Sequence, residues 1–194
     1  ICCERISQNG IAGIDIPLAV HEKGFRMADA EARTLLKSRA STIFSPPAKE
    51  TLLSKNYTEA CVINESICGK KISKQSWFLF SKIKEARTIF CQEKKKLKLY
   101  EVHPELSFMA MNDMKVIELG KKTHEGFKLR YKLLKKFFPK FDFEKIRANF
   151  KKGDVANDDI LDAIAVLWST QKIIANMASY VPKKPETPLS KIYY

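Results

Sequence analysis

The sequence predicts an α/β fold in a single domain spanning residues 1–194. Three observations point there. Short apolar runs of strand length alternate with longer stretches of helical spacing, in the order strand, helices, strand, helices. A hydrophobic content of 45% over 194 residues is enough to bury one sizeable core. Each strand-like run also ends at a carboxylate, where parallel strands of an open sheet present a ligand site.

The first strand is "IAGIDI", residues 11–16, stopped by Pro17, which has no amide proton to give a sheet ladder. Asp15 therefore stands where the chain leaves the core. It serves there either as a functional acid or as an acceptor for amides at the strand end. "MADAEARTLLKSRA" (27–40) follows with Ala28, Ala32, Leu35 and Leu36 on one face and Arg33 and Arg39 off it, the spacing of a helix. "STIFSPPAKE" must be extended at Ser45 and Pro46, because a residue before proline is driven out of helical geometry. Residues 54–75, rich in Ser and Asn, read as loop with some helix, and "SWFLFSKIKEARTIF" (76–90) reads as an amphipathic helix.

"KLKLYEVHPELSF" supplies the second strand. Leu97, Leu99 and Glu101 alternate with Lys98, Tyr100 and Val102 until Pro104, so Glu101 and His103 fall at its end. "THEGFKLRYKLLKKFF" is helical after Gly126, and residues 155–178 form a last long helix with Asn157 as its cap. The tail "VPKKPETPLSKIYY" is proline-rich and extended. Helical insertions are expected around 45–90 and 107–152.

The last helix opens with Asp158, Asp159 and Asp162. Aspartates in a first turn are favoured by the macrodipole and by capping, which accounts for the first two. Asp162 lies a turn deeper, beside Leu161, Ala163 and Ile164, where a carboxylate is expensive unless it is paired or bound to metal. Residues three or four apart share a helix face, so Asp162 can act with Asp159 or with Asp158. Joined by Asp15 and Glu101, such a cluster would repel itself unless a cation sits within it. Hard oxygen donors suit Mg²⁺ or Mn²⁺.

Charge indicates an acidic partner. The chain carries 35 Lys and Arg against 22 Asp and Glu, a net +13, and residues 84–152 alone hold 19 basic and 9 acidic side chains. Lysines and arginines that neutralise phosphates release counterions and so favour polyanions, nucleic acid first among them. Individual runs such as "EKKKLK" (93–98) can equally be solvated faces, and the aromatics of "KKFFPKFDFEKIRANFKK" read first as core. No apolar run reaches the ~18 residues of a spanning helix, and no signal peptide is visible, so a membrane is not the expected partner. Five cysteines, at 2, 3, 61, 68 and 91, form no Cys-x-x-Cys pair, and the three histidines are not spaced as zinc ligands. Free thiols in a reducing cytoplasm, without disulfides or structural zinc, are expected.

"IDIPL", "RMADAEARTLLKSRASTIFSPP", "EVHPELSF", "KKTHEGFKLR" and "DDILDAIAVLWSTQK", in this order, resemble an uncharacterised bacterial and archaeal family, a domain of unknown function described as predicted nucleases. The resemblance covers residues 11–193 and implies a ribonuclease-H-like fold: a mixed five-stranded sheet with helices on both sides and acidic residues holding two metal ions. By position it makes Asp15, Asp159 and Asp162 ligands of two Mg²⁺ or Mn²⁺ ions, with Glu101 ranked first among Glu101, His103 and Glu105 of the family's own motif. The family begins with an aspartate-bearing strand and a glycine-rich hairpin. Nothing before Ile11 matches these, and the chain opens on Ile1 rather than Met, so the sequence is expected to be truncated at its N-terminus, by three strands and a helix. The strand edge left open beside "IAGIDI" offers a route to a homo-oligomer.

The function these readings imply is metal-dependent hydrolysis of phosphodiester bonds, with catalytic Asp15, Glu101, Asp159 and Asp162. Lys121, Lys122 and Arg130, then Arg33 and Arg39, are the candidates to place nucleic-acid phosphates. The alternative is a non-catalytic nucleic-acid-binding or scaffolding protein that keeps the fold. An enzyme of small phosphorylated metabolites is a weaker reading, since no glycine-rich phosphate loop appears among seven glycines.

Overall fold

The computed structural model describes residues 9–23, 25–91, 96–151 and 153–194. Cys2, Cys3, the turn expected before Asn9 and the first half of "EKKKLK" lie outside the described residues. Cys61 and Cys68 are free thiols.

Strand β1 (Asn9–Ile14) pairs in parallel with β2 (Lys96–Glu101), Ile14 opposite Glu101. Parallel neighbours need a long crossover. Here it holds α1 (Met27–Leu36), α2 (Tyr57–Cys68) and α3 (Lys74–Cys91). Helices cover both faces of the pair. Leu97 and Leu99 pack with Leu18, Ala86 and Ile89 on the α3 side, while Val102 packs with Val166 and Ile173 of α7 (Asn157–Ile174) on the other. Burial on two sides is what parallel strands require.

Helix α7 approaches β1 closely because Gly13 has no side chain. A Cβ there would overlap Thr170 Oγ1 and come within 2.9 Å of Val166 Cγ1. On its other flank α7 buries Ile160, Leu161 and Ala165 against Phe108 and Met111 of α4 (Pro104–Met111), Leu134 of α5 (His124–Phe137), and Phe141 and Phe143, the latter opening α6 (Phe143–Arg147). The aromatics of residues 137–143 are thus largely core. Helix α1 rests on α4 through Ala28, Ala32, Leu36, Leu106 and Met109.

Three elements differ from expectation. Residues 57–68 form a full helix, because Asn56 caps its start by accepting from the Glu59 amide at 2.9 Å and Gly69 ends it in a left-handed conformation, φ 70°. Helix α5 begins at His124, before Gly126, with Thr123 as its cap. The tail is not merely extended: β3 (Tyr180–Val181) and β4 (Ile192–Tyr193) pair antiparallel, and Tyr193 bridges to Val102 at the end of β2. Among the described residues these two small sheets are the strands present, and no helix is long and apolar enough to cross a membrane.

Candidate active site

Alternation along the sheet decides which carboxylates can meet. Ala12 and Ile14 of β1 lie with Leu97 and Leu99 on the α3 face, and Glu101 continues that phase. Gly13 faces α7, and Asp15 follows in its phase. Neighbouring strand ends therefore send their acids to opposite sides.

Glu101 is buried against Arg26. Its Oε2 accepts from Arg26 Nη1 at 2.7 Å and from the Leu18 amide at 2.8 Å. The same guanidinium donates through Nε to Asp29 Oδ1 at 3.0 Å and forms a second, shorter ion pair through Nη2. Burial pushes the Glu101 carboxyl up, with Arg26 and the Leu18 amide pulling against it. Burial opposes the charge of Arg26 as well, yet Glu101 and Asp29 outweigh it and hold its proton more firmly than usual. Glu101 thus ties α1 and the Leu18 turn to the sheet, away from the cleft expected to contain it.

Glu105, in the first turn of α4, is also buried and neutralised. Both its oxygens accept from Arg130 Nη2, at 2.9 and 2.7 Å, and Oε1 accepts from Arg39 Nη2 at 3.1 Å. Arg130, only 1% exposed, also donates to the carbonyls of Leu119 and Gly126. Its position inside the core corrects its assignment to phosphate binding. Arg39 is committed to the same carboxylate, whereas Lys122 is exposed.

The acids gathered around Lys121 are Asp158 and Asp162, in direct contact with it, and Asp15, near enough for its charge to act on Asp162 and to feel that of Lys121. Lys121 Nζ lies 2.6 Å from Asp162 Oδ2 and 3.1 Å from Asp158 Oδ2. Asp158 and Asp162 are one helical turn apart, so their like charges would destabilise α7 without this cation. Burial raises the Asp162 carboxyl to about 6, Lys121 pulling down and Asp15 pushing up. Burial also raises Asp15 to about 6 against the pull of Lys121. Asp15 is nonetheless exposed, and its contact with water moderates that rise. Desolvation works against the charge of Lys121, but Asp162 and Asp158 more than restore it.

Lys121 owes its place to a tight loop. Thr123 accepts from the Gly126 amide at 3.1 Å, and a Cβ on Gly126 would overlap the Gly120 carbonyl. Nearby, His103 Nε2 lies 3.2 Å from the Thr42 carbonyl oxygen, to which it can only donate, leaving Nδ1 buried without a hydrogen-bond partner. Burial lowers the His103 pKa, so the ring is neutral.

Asp159 does not join the cluster. It is exposed, and its Oδ2 accepts from the Ala156 amide at 2.9 Å, closing the first turn of α7 from within, while the N-cap position expected for Asn157 is held by Ala156. Among Asp15, Glu101, Asp159 and Asp162, the structure brings together Asp15 and Asp162 alone. Asp158 takes the place expected for Asp159, a substitution that the four-residue spacing to Asp162 could have signalled.

Carboxylate oxygens are the donors a hard divalent ion prefers, and Asp15 with Asp162 is the pair that would hold one, Asp158 lying beside them. Among the described residues no three His, Cys, Asp or Glu side chains yet converge as a ligand set. Lys121 supplies the compensating charge instead.

No curated protein and no solved structure matches the chain. A domain-family profile described as "Protein of unknown function (DUF429)" matches residues 2–187, and the chain therefore belongs to the DUF429 family.

Proposed function

We propose that the protein is a divalent-metal-dependent nuclease of ribonuclease-H-like type, hydrolysing phosphodiester bonds of nucleic acid in the Asp15, Asp158 and Asp162 cleft. One observation carries the reading: two acids from distant parts of the chain, Asp15 after a strand and Asp162 on the last helix, lie within electrostatic reach of each other and of Lys121, which Asp162 contacts directly, and burial raises both carboxyls. Keeping carboxylates where their charge is disfavoured is characteristic of functional sites.

Mg²⁺ or Mn²⁺, held by Asp15 and Asp162, would supply activated water and charge stabilisation at the leaving oxygen. The chain's own residues do the rest. Asp162 must be ionised to bind, which places the working range above pH ~6. Lys121, on the rim of the same cluster, would offer its ammonium to a substrate phosphate.

A second reading has its own observation. Lys121 already neutralises Asp158 and Asp162, as it would in a non-catalytic binding protein that had no need of an ion. The test is cleavage of labelled DNA and RNA, single-stranded and duplex, by the complete protein with Mg²⁺ or Mn²⁺. The nuclease reading expects metal-dependent products that Asp15→Asn and Asp162→Asn each abolish while binding persists. Products that survive in the double variant, or salt-sensitive binding without any product, would defeat it.

A further inference from the structure

Beside the acidic cleft, between the 41–47 segment and the start of α3, lies a cavity of about 520 Å³ whose charge is one-sided. Arg33, Lys70, Lys71 and Lys121 line it, with Ser45, Ser73 and Ser76 among its hydroxyls and no carboxylate. Arg33 is fixed in place: its Nη2 donates to the Ile43 carbonyl at 2.9 Å and to Ser45 Oγ at 2.8 Å. Among the described residues neither Arg33 nor Lys70 pairs with an acid, and Lys71 reaches Glu65 only at 3.9 Å with both side chains more than half exposed. The N-terminus of the 18-residue helix α3 also opens here through Ser73 and Ser76, adding its positive end to the same wall.

The cavity has an aromatic at its mouth. Phe25 is 60% exposed, and Lys70 Nζ lies 4.3 Å from its ring centroid. Two residues join cavity and cleft. Lys121 lines the first while bridging Asp158 and Asp162, and Thr42 lines the first while its carbonyl holds His103. The volume falls within the ~300–1,000 Å³ usual for small-ligand sites. It accommodates a nucleotide with an adjoining phosphate and is far too small for a duplex.

We propose that this cavity binds single-stranded nucleic acid, with phosphates on Arg33, Lys70 and Lys71 and a base stacked on Phe25. Cations tracking a backbone beside an aromatic face are the physical basis of strand binding without sequence readout. The direction of the strand toward Lys121 rests on the nuclease reading; the binding itself does not.

The test is fluorescence anisotropy of the complete protein with a labelled single-stranded oligonucleotide and its duplex, in EDTA over a salt series. The wild type should bind the single strand at least tenfold more tightly than the duplex. Lys70→Glu/Lys71→Glu, two exposed charge reversals that do not disturb the core, should weaken it tenfold or more and reduce the magnitude of the log–log salt slope by roughly 1.4, the share of two phosphates. Phe25→Ala should weaken it about fivefold or more, and Lys128→Ala, on an exposed face elsewhere, should change nothing. Unchanged affinity in the double reversal, or duplex bound as tightly as single strand, would overturn the proposal. The two readings fail separately. Loss of cleavage in Asp162→Asn with no effect of the cavity variants sinks the cavity alone, and cavity-dependent binding with cleavage intact in Asp162→Asn sinks the nuclease alone.

Discussion

Replacing Asp162 by asparagine should make the protein more stable at neutral pH, although it removes an ion pair. An aspartate in the unfolded chain ionises near 3.8, and Asp162 in the folded protein near 6. Between those values the native state holds a proton that the unfolded chain has released, so raising the pH favours unfolding. The contribution is intact below pH 3.8 and is lost as pH rises through 6. The difference between the two values corresponds to about 3 kcal/mol at 1.36 kcal/mol per unit, an upper figure that is usable because the side chain is only 16% exposed. The variant keeps the shape of the side chain, and Lys121 retains Asp158, 3.1 Å away. Urea unfolding followed by circular dichroism should show a gap between variant and wild type that is small at pH 4, opens up to pH 6 and levels off above pH 7. Its ceiling of about 3 kcal/mol corresponds to roughly 6–12 °C in Tm for a chain of this size. A variant less stable than wild type at pH 7.5, or a gap that ignores pH, would show that Asp162 is an ordinary stabilising partner of Lys121 and that its burial serves no site.

The other predictions separate residues that the sequence alone makes look alike. Asp159→Ala should cost about 1 kcal/mol of stability through loss of its hydrogen bond to the Ala156 amide and leave cleavage unchanged, checked by denaturation and product assay side by side. Arg130→Met leaves buried Glu105 with Arg39 alone and should destabilise the fold by about 3–5 kcal/mol, read from the urea midpoint, without a specific loss of oligonucleotide affinity at matched folded fraction. Affinity for Mn²⁺, measured by isothermal titration calorimetry, should fall about tenfold between pH 7 and pH 5 as a carboxyl titrating near 6 takes up its proton. A flat profile would show that the acids of this cleft are not the ligands.

Much of the scaffold was legible because its signals are local. The apolar run before Pro17, the alternation from Leu97 to Val102 and the helical spacing of residues 76–90 are local signals that overlap β1, β2 and α3, although β1 starts and stops two residues earlier than the run 11–16 and β2 ends at Glu101. Helix α2 was obscured by the Ser and Asn residues within and around it, although Asn56 and Gly69 mark its two ends. The pairing of the tail was not legible, because two-residue strands carry too little pattern to announce themselves.

Within the candidate site, the sequence by itself determined that acids stand at both strand ends and in the opening turns of α7, and that Asp158 and Asp162 share a face. The alternation it displays already sets Glu101 in phase with Leu97 and Leu99. Only the tertiary structure decided which charge each acid meets. Glu101 found Arg26, 75 residues away, and Asp162 found Lys121, 41 residues away. The physical reason is range. Periodicity fixes the direction of a side chain relative to its own strand or helix, whereas the pairing of a buried charge depends on which cation the packed chain brings within hydrogen-bonding distance.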